Sequence, residues 1–163
     1  MERITGHAGG ARGLADEAET ARAGAALGRA LRAGDVVFLS GGLGAGKTAL
    51  ARAAIAARLA AAGRPAEEIP SPTFTLVQVY EADAPLWHAD LYRLSGPEDA
   101  RELGLDAAAE EGAILLVEWP ERLGALAPAR RLEIALESPE AGGRLLLWRG
   151  VGGGWDHVAE ALA

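Results

Sequence analysis

Residues 35–48 constrain the fold more than any other part of the sequence. They begin with a short apolar run, residues 35–40, of the kind that forms a strand buried on both faces, and they continue into a glycine-rich loop. Residues 47–62 then read as a helix that is ended by Gly63 and Pro65. A strand, a glycine loop and a helix in this order predict an α/β fold with a phosphate-binding loop.

The loop satisfies the pattern G-x-x-x-x-G-K-[ST] in full. Glycines let the backbone wrap closely, so that successive N–H groups point at phosphate oxygens, and the helix adds the positive end of its dipole. We expect Lys47 to reach the β- and γ-phosphates and the Thr48 hydroxyl to bind Mg²⁺. A chance glycine-rich turn is disfavoured because both flanking elements fit. The expected nucleotide-binding residues are Gly41, Gly42, Leu43, Gly44, Ala45, Gly46, Lys47 and Thr48.

The basic residues narrow the choice of nucleotide. Lys47 is the only lysine, and the chain has no asparagine and no cysteine. The usual guanine motif, Asn/Thr-Lys-x-Asp, therefore has no match after the loop, and adenine is the expected base. A protein kinase is excluded because its catalytic loop uses an asparagine for the second Mg²⁺. A small-molecule kinase stays open, with a lid that would draw on Arg93, Arg101, Arg122, Arg130 and Arg131.

Length and charge bound the class of protein. A chain of 163 residues fits a single domain, in which we expect residues 1–13 to be poorly ordered. The net charge of −7 argues against tight binding to nucleic acid or to an anionic membrane. The amino-terminal residues lack the apolar run of a signal peptide, and arginines break the alanine-rich runs before they reach the length of a membrane span. We expect a soluble cytoplasmic protein.

Helix and strand signals alternate along the rest of the chain, with no internal repeat and no second domain. Predicted helices cover residues 16–32, 97 to 103 or 105, and 155–162. Predicted strands cover residues 74–80, 85–90, 113–117, 131–137 and 144–148, the last two forming a hairpin across Gly142 and Gly143.

Two acidic residues follow predicted strands, where α/β sheets collect their ligands. Glu118 ends the apolar run 113–117 and is expected to hold Mg²⁺ directly or through water, the alternative being a surface acid at a strand end. Asp90 is expected to complete the metal shell or to orient the attacking water; alternatively it caps a turn and pairs with Arg93. Lys47, Asp90 and Glu118 are the candidate catalytic residues.

Three further side chains each allow a structural and a functional interpretation. His88 alternates with Trp87 on a strand and is expected to be a packed histidine rather than a ligand. Thr73 follows the loop helix, where switch-type nucleotidases carry a hydroxyl that senses the γ-phosphate, although spacing alone favours a plain Ser-Pro-Thr turn. Trp119 is most simply a core aromatic, but beside Glu118 it is also placed to pack near a nucleotide or a partner.

Four segments in order carry a family resemblance. They are Gly44-Ala-Gly-Lys-Thr48, Ser71-Pro-Thr-Phe-Thr-Leu-Val77, His88-Ala-Asp-Leu-Tyr-Arg-Leu94 followed by Pro97-Glu98, and Leu116-Val-Glu-Trp-Pro120. With this order and spacing the chain resembles the TsaE family, small P-loop ATPases of bacterial threonylcarbamoyladenosine tRNA modification. The resemblance extends from about Asp16 to the final hairpin, and the four segments together are highly specific.

The resemblance implies a P-loop NTPase-like α/β fold, with a mainly parallel sheet, helices on both faces and a C-terminal antiparallel hairpin. It implies a slow ATPase that uses ATP and Mg²⁺, joins the TsaB and TsaD subunits and supports repeated cycles of their transferase. In such a system TsaD attaches the threonylcarbamoyl group, made by TsaC, to adenosine 37 of tRNAs that read ANN codons. The acidic balance of the chain predicts that its contact with tRNA is minor or indirect.

The resemblance also assigns roles by position. It places Lys47 on phosphate, Thr48 and Glu118 on Mg²⁺, and Asp90 as the acid of the His-x-Asp-Leu-Tyr-Arg segment. The Ser-Pro-Thr-Phe-Thr segment resembles a switch loop, which strengthens the assignment of Thr73 as a nucleotide-binding residue.

Two further positions of the family pattern bear on the nucleotide site. The start of the first helix resembles the family's region near the nucleotide base, which makes Glu17 a candidate contact. Gly42 stands where the family commonly has an aspartate. This change removes charge beside the triphosphate, and intrinsic hydrolysis is expected to be slow or more dependent on partners. A non-catalytic module whose shape is fixed by ATP is the remaining alternative.

Overall fold

The computed structural model describes residues 9–64, 69–72 and 75–163. The strands are β1 (Gly9–Leu14), β2 (Val36–Ser40), β3 (Val77–Glu81), β4 (Pro85–Asp90), β5 (Ile114–Glu118), β6 (Arg131–Glu137) and β7 (Arg144–Val151). The helices are α1 (Glu17–Ala30), α2 (Lys47–Ala61), α3 (Pro97–Arg101), α4 (Leu105–Glu110) and α5 (Asp156–Leu162), and a 3₁₀ segment covers Pro120–Leu126.

The strands form one sheet with a parallel centre and antiparallel edges. Their spatial order is β1-β7-β6-β2-β5-β4-β3. Strand β2 pairs in parallel with β5 and β6, and β4 pairs in parallel with β5. Strands β7 and β1 add antiparallel pairs at one edge, and β3 does so at the other. The predicted α/β fold and its C-terminal hairpin are confirmed.

Alternation along the central strands separates two apolar layers. Val37 and Leu39 of β2 belong to the core beneath α1, α2 and α5. Val36 and Phe38 point to the other face, where they join residues of α3, α4 and the 3₁₀ segment. Because both faces of β2 are covered, the strand reads as a continuous apolar run, as the sequence predicted. No helix of the described residues is long and apolar enough to cross a membrane.

Strand β1 corrects the expectation of poor order for residues 9–13, whereas residues 1–8 lie outside the described residues. Gly9–Leu14 pair with β7 over six positions, from Gly9 opposite Arg149 to Leu14 opposite Arg144. Leu14 is 1% exposed and ends the strand in the core. The glycine-rich sequence has no apolar alternation, so the strand depends on backbone pairing with a partner that lies 130 to 140 positions later in the chain.

Two element boundaries were also wrong. The helix predicted from residue 97 is two short helices. Gly104 has a φ of 73°, which interrupts the helix, and it is the N-cap of the separate helix α4. The strand predicted from residue 74 begins at Val77, since Leu76 has a φ of 67° and its N–H donates to the Pro72 carbonyl in a turn. The remaining predicted strands and helices match within three residues at each end.

Close contact between α1 and α2 depends on Gly28. A Cβ placed on Gly28 would lie 2.1 Å from the Ala54 carbonyl oxygen, and one on Gly24 would lie 2.6 Å from that of Leu50. These contacts are with backbone atoms, so they cannot be relieved by turning a side chain. The two glycines therefore fix how closely α1 packs against the helix that follows the phosphate loop.

Replacing Gly28 with alanine is expected to lower the free energy of unfolding by about 1–3 kcal/mol, the usual cost of overpacking. The measurement is chemical denaturation of both forms. Gly13→Ala is the matched control, because a Cβ at Gly13 meets nothing within 4 Å. Equal unfolding midpoints for Gly28→Ala and Gly13→Ala would contradict the close approach of α1 and α2.

Candidate functional site

The glycine loop connects the carboxyl end of β2 to the start of α2. Gly41 and Gly46 have φ angles of 145° and 103°, which favour glycine. A Cβ on Gly41 would also lie 2.6 Å from the Leu136 carbonyl oxygen, so this position has no space for a side chain. Helix α2 begins at Lys47 without a side-chain cap, so its first N–H groups face the loop as an anion site requires.

The loop forms one side of a pocket of about 360 Å³ at the carboxyl ends of β2, β4 and β5. The sequence-predicted residues Lys47, Thr48, Asp90 and Glu118 all line this pocket. Its other lining residues are Leu43, Gly44, Ala45, Gly46, Ala49, Tyr92 and Trp119. Four candidates from three separate segments of the sequence are thus brought to one place.

Lys47 folds back across its own loop. Lys47 is 5% exposed. Its Nζ donates to the carbonyl oxygens of Gly41 at 2.6 Å and of Gly42 at 3.0 Å. The ammonium also lies 4.4 Å from the ring centroid of Trp119, a cation–π contact. The only lysine of the chain is therefore held at the mouth of the loop by groups of the loop itself and by one aromatic ring.

Glu118 joins the loop helix to β4. Its Oε1 accepts a hydrogen bond of 2.8 Å from the Thr48 hydroxyl, and its Oε2 lies 2.7 Å from Nε2 of His88. Glu118 is 2% exposed and His88 is fully buried. The alternative reading of Glu118 as a surface acid at a strand end is wrong.

Strand register explains why these side chains meet. Asp90 of β4 lies opposite Glu118 of β5, and His88 lies opposite Leu116. Because side chains alternate between faces, His88, Asp90, Leu116 and Glu118 all point toward α2. His88 is therefore one diagonal step from the Glu118 carboxylate.

Asp90 caps a turn, as one of its two interpretations predicted, and its carboxylate also lies at the pocket. It is 6% exposed at the carboxyl end of β4, and its Oδ1 accepts a hydrogen bond of 3.1 Å from the Tyr92 N–H, so it does cap a turn. The same carboxylate lines the pocket with Thr48 and Glu118. The turn holds the carboxylate in place at the edge of the site.

The oxygen groups fit Mg²⁺ as phosphate-loop proteins hold it. Mg²⁺ takes one or two protein oxygens and fills its octahedron with water and phosphate oxygens. The Thr48 hydroxyl and the Glu118 carboxylate are such a pair, already 2.8 Å apart. Within the described residues no cluster of three or more His, Cys, Asp and Glu could hold a metal alone. The donor set therefore suits a metal that arrives with a phosphate.

Arg144 is a site residue that the sequence analysis missed. From the start of β7 its guanidinium donates to the Ala45 carbonyl at 2.9 Å and to the Gly44 carbonyl at 3.2 Å. These bonds give two loop carbonyls a side-chain donor and tie the loop to the start of β7. Arg144 and Ala45 are 99 positions apart in the sequence, so no local sequence pattern predicted their hydrogen bond.

Other predicted residues lie elsewhere. Glu17 is the exposed first residue of α1, whereas Glu19 lines an open groove of about 530 Å³ that also reaches Arg144 beside the loop. Thr73 lies outside the described residues. The arginines proposed for a kinase lid do not line the described pocket: Arg101 borders a cavity on the other face, Arg130 binds Asp35, and Arg131 binds Glu133.

The strand, loop and helix, with carboxylates at the ends of two adjacent strands, define a P-loop NTPase-like fold. The family model for "Threonylcarbamoyl adenosine biosynthesis protein TsaE" matches residues 14–146. The chain therefore belongs to the TsaE family, whose members take part in the biosynthesis of threonylcarbamoyladenosine in tRNA.

Known relatives agree with this assignment. The tRNA threonylcarbamoyladenosine biosynthesis protein TsaE of Treponema pallidum is 38% identical over 126 residues, which cover 77% of this chain and 90% of the relative. The protein of the same name from Rickettsia conorii is 38% identical over 133 residues, 81% of this chain and 73% of the relative. The crystal structure of Bacillus subtilis YdiB superposes with a TM-score of 0.76 at 25% identity, covering 99% of this chain and 97% of that one.

Proposed function

We propose that this protein is a Mg²⁺-dependent ATPase of the cytoplasm that supports threonylcarbamoyladenosine modification of tRNA as an accessory subunit of TsaB and TsaD. The observation that carries the proposal is the hydrogen bond between Thr48 Oγ1 and Glu118 Oε1 at the foot of the glycine loop. It places a hydroxyl and a buried carboxylate together at the first turn of α2. Phosphate loops hold their metal with this pair of groups.

The residues of the loop have separable tasks. Backbone N–H groups of the loop and the first turn of α2 bind the phosphates, while Arg144 donates to the Gly44 and Ala45 carbonyls and ties the loop to β7. Lys47 leaves the carbonyls of Gly41 and Gly42 and pairs with phosphate oxygens.

The acidic residues complete the site. Thr48 and Glu118 hold Mg²⁺, which when bound neutralises charge on the β- and γ-phosphates. Asp90, held by the Tyr92 N–H, accepts a hydrogen bond from the attacking water and orients it. The groove beside Glu19 and Arg144 receives the adenosine, and Glu17 begins the helix that carries Glu19.

Charge favours protein partners over direct tRNA binding. The net charge of −7 opposes a large phosphate-contacting surface, so tRNA reaches this chain mainly through TsaB and TsaD. ATP hydrolysis here supports turnover of the transferase, and TsaD performs the transfer itself.

The test is the rate of phosphate release from ATP and from GTP, each with and without TsaB–TsaD. We expect slow turnover alone, a higher rate with both partners, and a preference for ATP. Equal binding to TsaB–TsaD with ATP, ADP and no nucleotide, with no turnover in the complex, would replace the proposal with a non-catalytic interaction module. Metabolite-dependent release of ADP in the absence of partners would instead indicate a small-molecule kinase.

Gly42 allows a direct test of the residue that departs from the family pattern. A Cβ at Gly42 meets nothing within 4 Å, and its φ lies outside the positive range, so an aspartate fits the present backbone. Gly42→Asp is expected to raise partner-free ATP hydrolysis about 2–5-fold for two reasons: it restores the carboxylate of the family pattern beside the triphosphate, and it restricts a loop backbone in which glycine has the most freedom, an effect on the order of 0.4–1 kcal/mol. Gly42→Ala separates the two causes, since it restricts the backbone without adding charge. A lower partner-free rate in Gly42→Asp than in Gly42→Ala would contradict a favourable role for the carboxylate.

A further inference from the structure

His88 forms a buried hydrogen bond to Glu118 that the proposed ATPase mechanism does not yet use. The imidazole is fully buried on β4, and its Nε2 lies 2.7 Å from Glu118 Oε2. Among the described residues Nδ1 has no hydrogen-bond partner. The Glu118 carboxylate is thus the polar group that His88 meets within the described part of the chain.

The chemistry of the two groups fixes the direction of this bond. An ionised carboxylate accepts hydrogen bonds and donates none, so Nε2 of His88 carries the hydrogen. Each oxygen of Glu118 then has one donor: the Thr48 hydroxyl on Oε1 and the imidazole on Oε2. A carboxylate held at both oxygens cannot rotate about its last bond without losing one of them.

The burial of His88 indicates that its hydrogen bond to Glu118 is the reason for a polar side chain at this position. An imidazole with one nitrogen unpaired costs free energy in an apolar core, and an aliphatic side chain facing Leu116 would avoid that cost. Simple packing therefore explains the size of His88 but not its polarity. The bond to Glu118 Oε2 explains both.

We propose that His88 is the positioning residue for the Glu118 carboxylate, holding Oε2 so that Oε1 faces Thr48 and the Mg²⁺ site. This inference rests on the proposed Mg²⁺–ATP site. His88 touches neither nucleotide nor metal in this arrangement and acts through Glu118 alone. Its loss is therefore expected to weaken the contribution of Mg²⁺ while leaving metal-free nucleotide binding in place.

The decisive comparison is between His88→Gln and His88→Met. Both side chains are unbranched and of similar length, but only glutamine carries an N–H donor near the position of Nε2. The measured quantity is the ratio of dissociation constants for a non-hydrolysable ATP analogue in EDTA and in excess Mg²⁺. Removal of a partner that orients a metal ligand costs about 10–100-fold in metal affinity, so His88→Met should lower the ratio by about that factor. His88→Gln should stay within about threefold of the original protein.

Matched variants separate the possible failures. Leu86→Met changes the same strand and face away from Glu118 and should leave the ratio unchanged. A ratio of one in the original protein would overturn the Mg²⁺ site of the proposed function. A ratio above one, with equal values for His88→Gln and His88→Met, would overturn the role of His88 alone. If His88→Met does not fold, His88→Asn replaces it, because its shorter amide does not reach Oε2; equality with His88→Gln again contradicts the inference.

The nucleotide-free protein offers an independent measurement. With three histidines in the chain, the ¹⁵N signals of His88 can be assigned, and its tautomer can be read directly by NMR. We expect the hydrogen on Nε2. A His88 ring protonated at Nδ1 alone would leave Nε2 with nothing to donate to Glu118, and would overturn the proposal without reference to metal or nucleotide.

Discussion

Lys47→Ala is expected to lower ATP turnover by about 10²–10³-fold, the usual cost of removing one preorganised contact to developing charge. Lys47 is 5% exposed and lines the pocket, and its ammonium donates to two loop carbonyls. It is also the only lysine, so no other ammonium in the chain can replace it. The measurements are the ATPase rate with TsaB–TsaD and the nucleotide dissociation constant.

The control for Lys47→Ala removes a cation from the same helix. Arg52 lies on α2 but is exposed and does not line the pocket, so Arg52→Ala should keep the original rate. In cells, Lys47→Ala should fail to restore tRNA modification when it replaces the original protein. Normal modification with Lys47→Ala would show that the mechanism is wrong.

Glu118→Ala is expected to lower Mg²⁺-dependent turnover by about 10²-fold or more, while the protein keeps its fold. The substitution removes the carboxylate that accepts from Thr48 and His88, so two polar groups lose their partner. We expect an accompanying loss of about 1–3 kcal/mol in the free energy of unfolding. Circular dichroism and denaturation measure the fold, and phosphate release measures the turnover.

Two further variants test whether charge or shape matters at Glu118. Glu118→Gln keeps the volume of the side chain and removes its charge, so it should lose turnover with a smaller loss of stability. Glu121→Gln is the matched surface control, since Glu121 is exposed three residues later. Turnover in Glu118→Gln equal to that in Glu121→Gln would contradict a metal-binding role for the carboxylate.

Local patterns predicted the part of the site that is local in sequence. The loop from Gly41 to Thr48 follows its strand and begins its helix within one continuous segment, so a pattern of adjacent residues was sufficient. Glu118 and Asp90 were found because each ends an element, and the carboxyl ends of parallel strands meet at one edge of a sheet.

Contacts between distant segments could not be predicted in this way. The bond from His88 to Glu118 depends on the exact register of β4 against β5, and a shift of one residue would turn His88 to the opposite face. Arg144 reaches Ala45 across 99 positions. Strand β1 was missed for the same reason. Its glycines show no apolar alternation, and the strand is defined by its backbone pairing with β7.

The position of Lys47 makes ligand binding at this loop an exchange of hydrogen-bond acceptors. The ammonium donates to the carbonyls of Gly41 and Gly42, so in the proposed function its number of hydrogen bonds would change little when phosphate oxygens take the place of these two acceptors. The gain comes from replacing neutral oxygens by charged ones, because a second opposite charge adds Coulomb attraction to hydrogen bonds that the ammonium makes in either case. A neutral molecule of the same shape would gain almost nothing from this lysine, so we expect the proposed site to select anions before any metal or partner takes part.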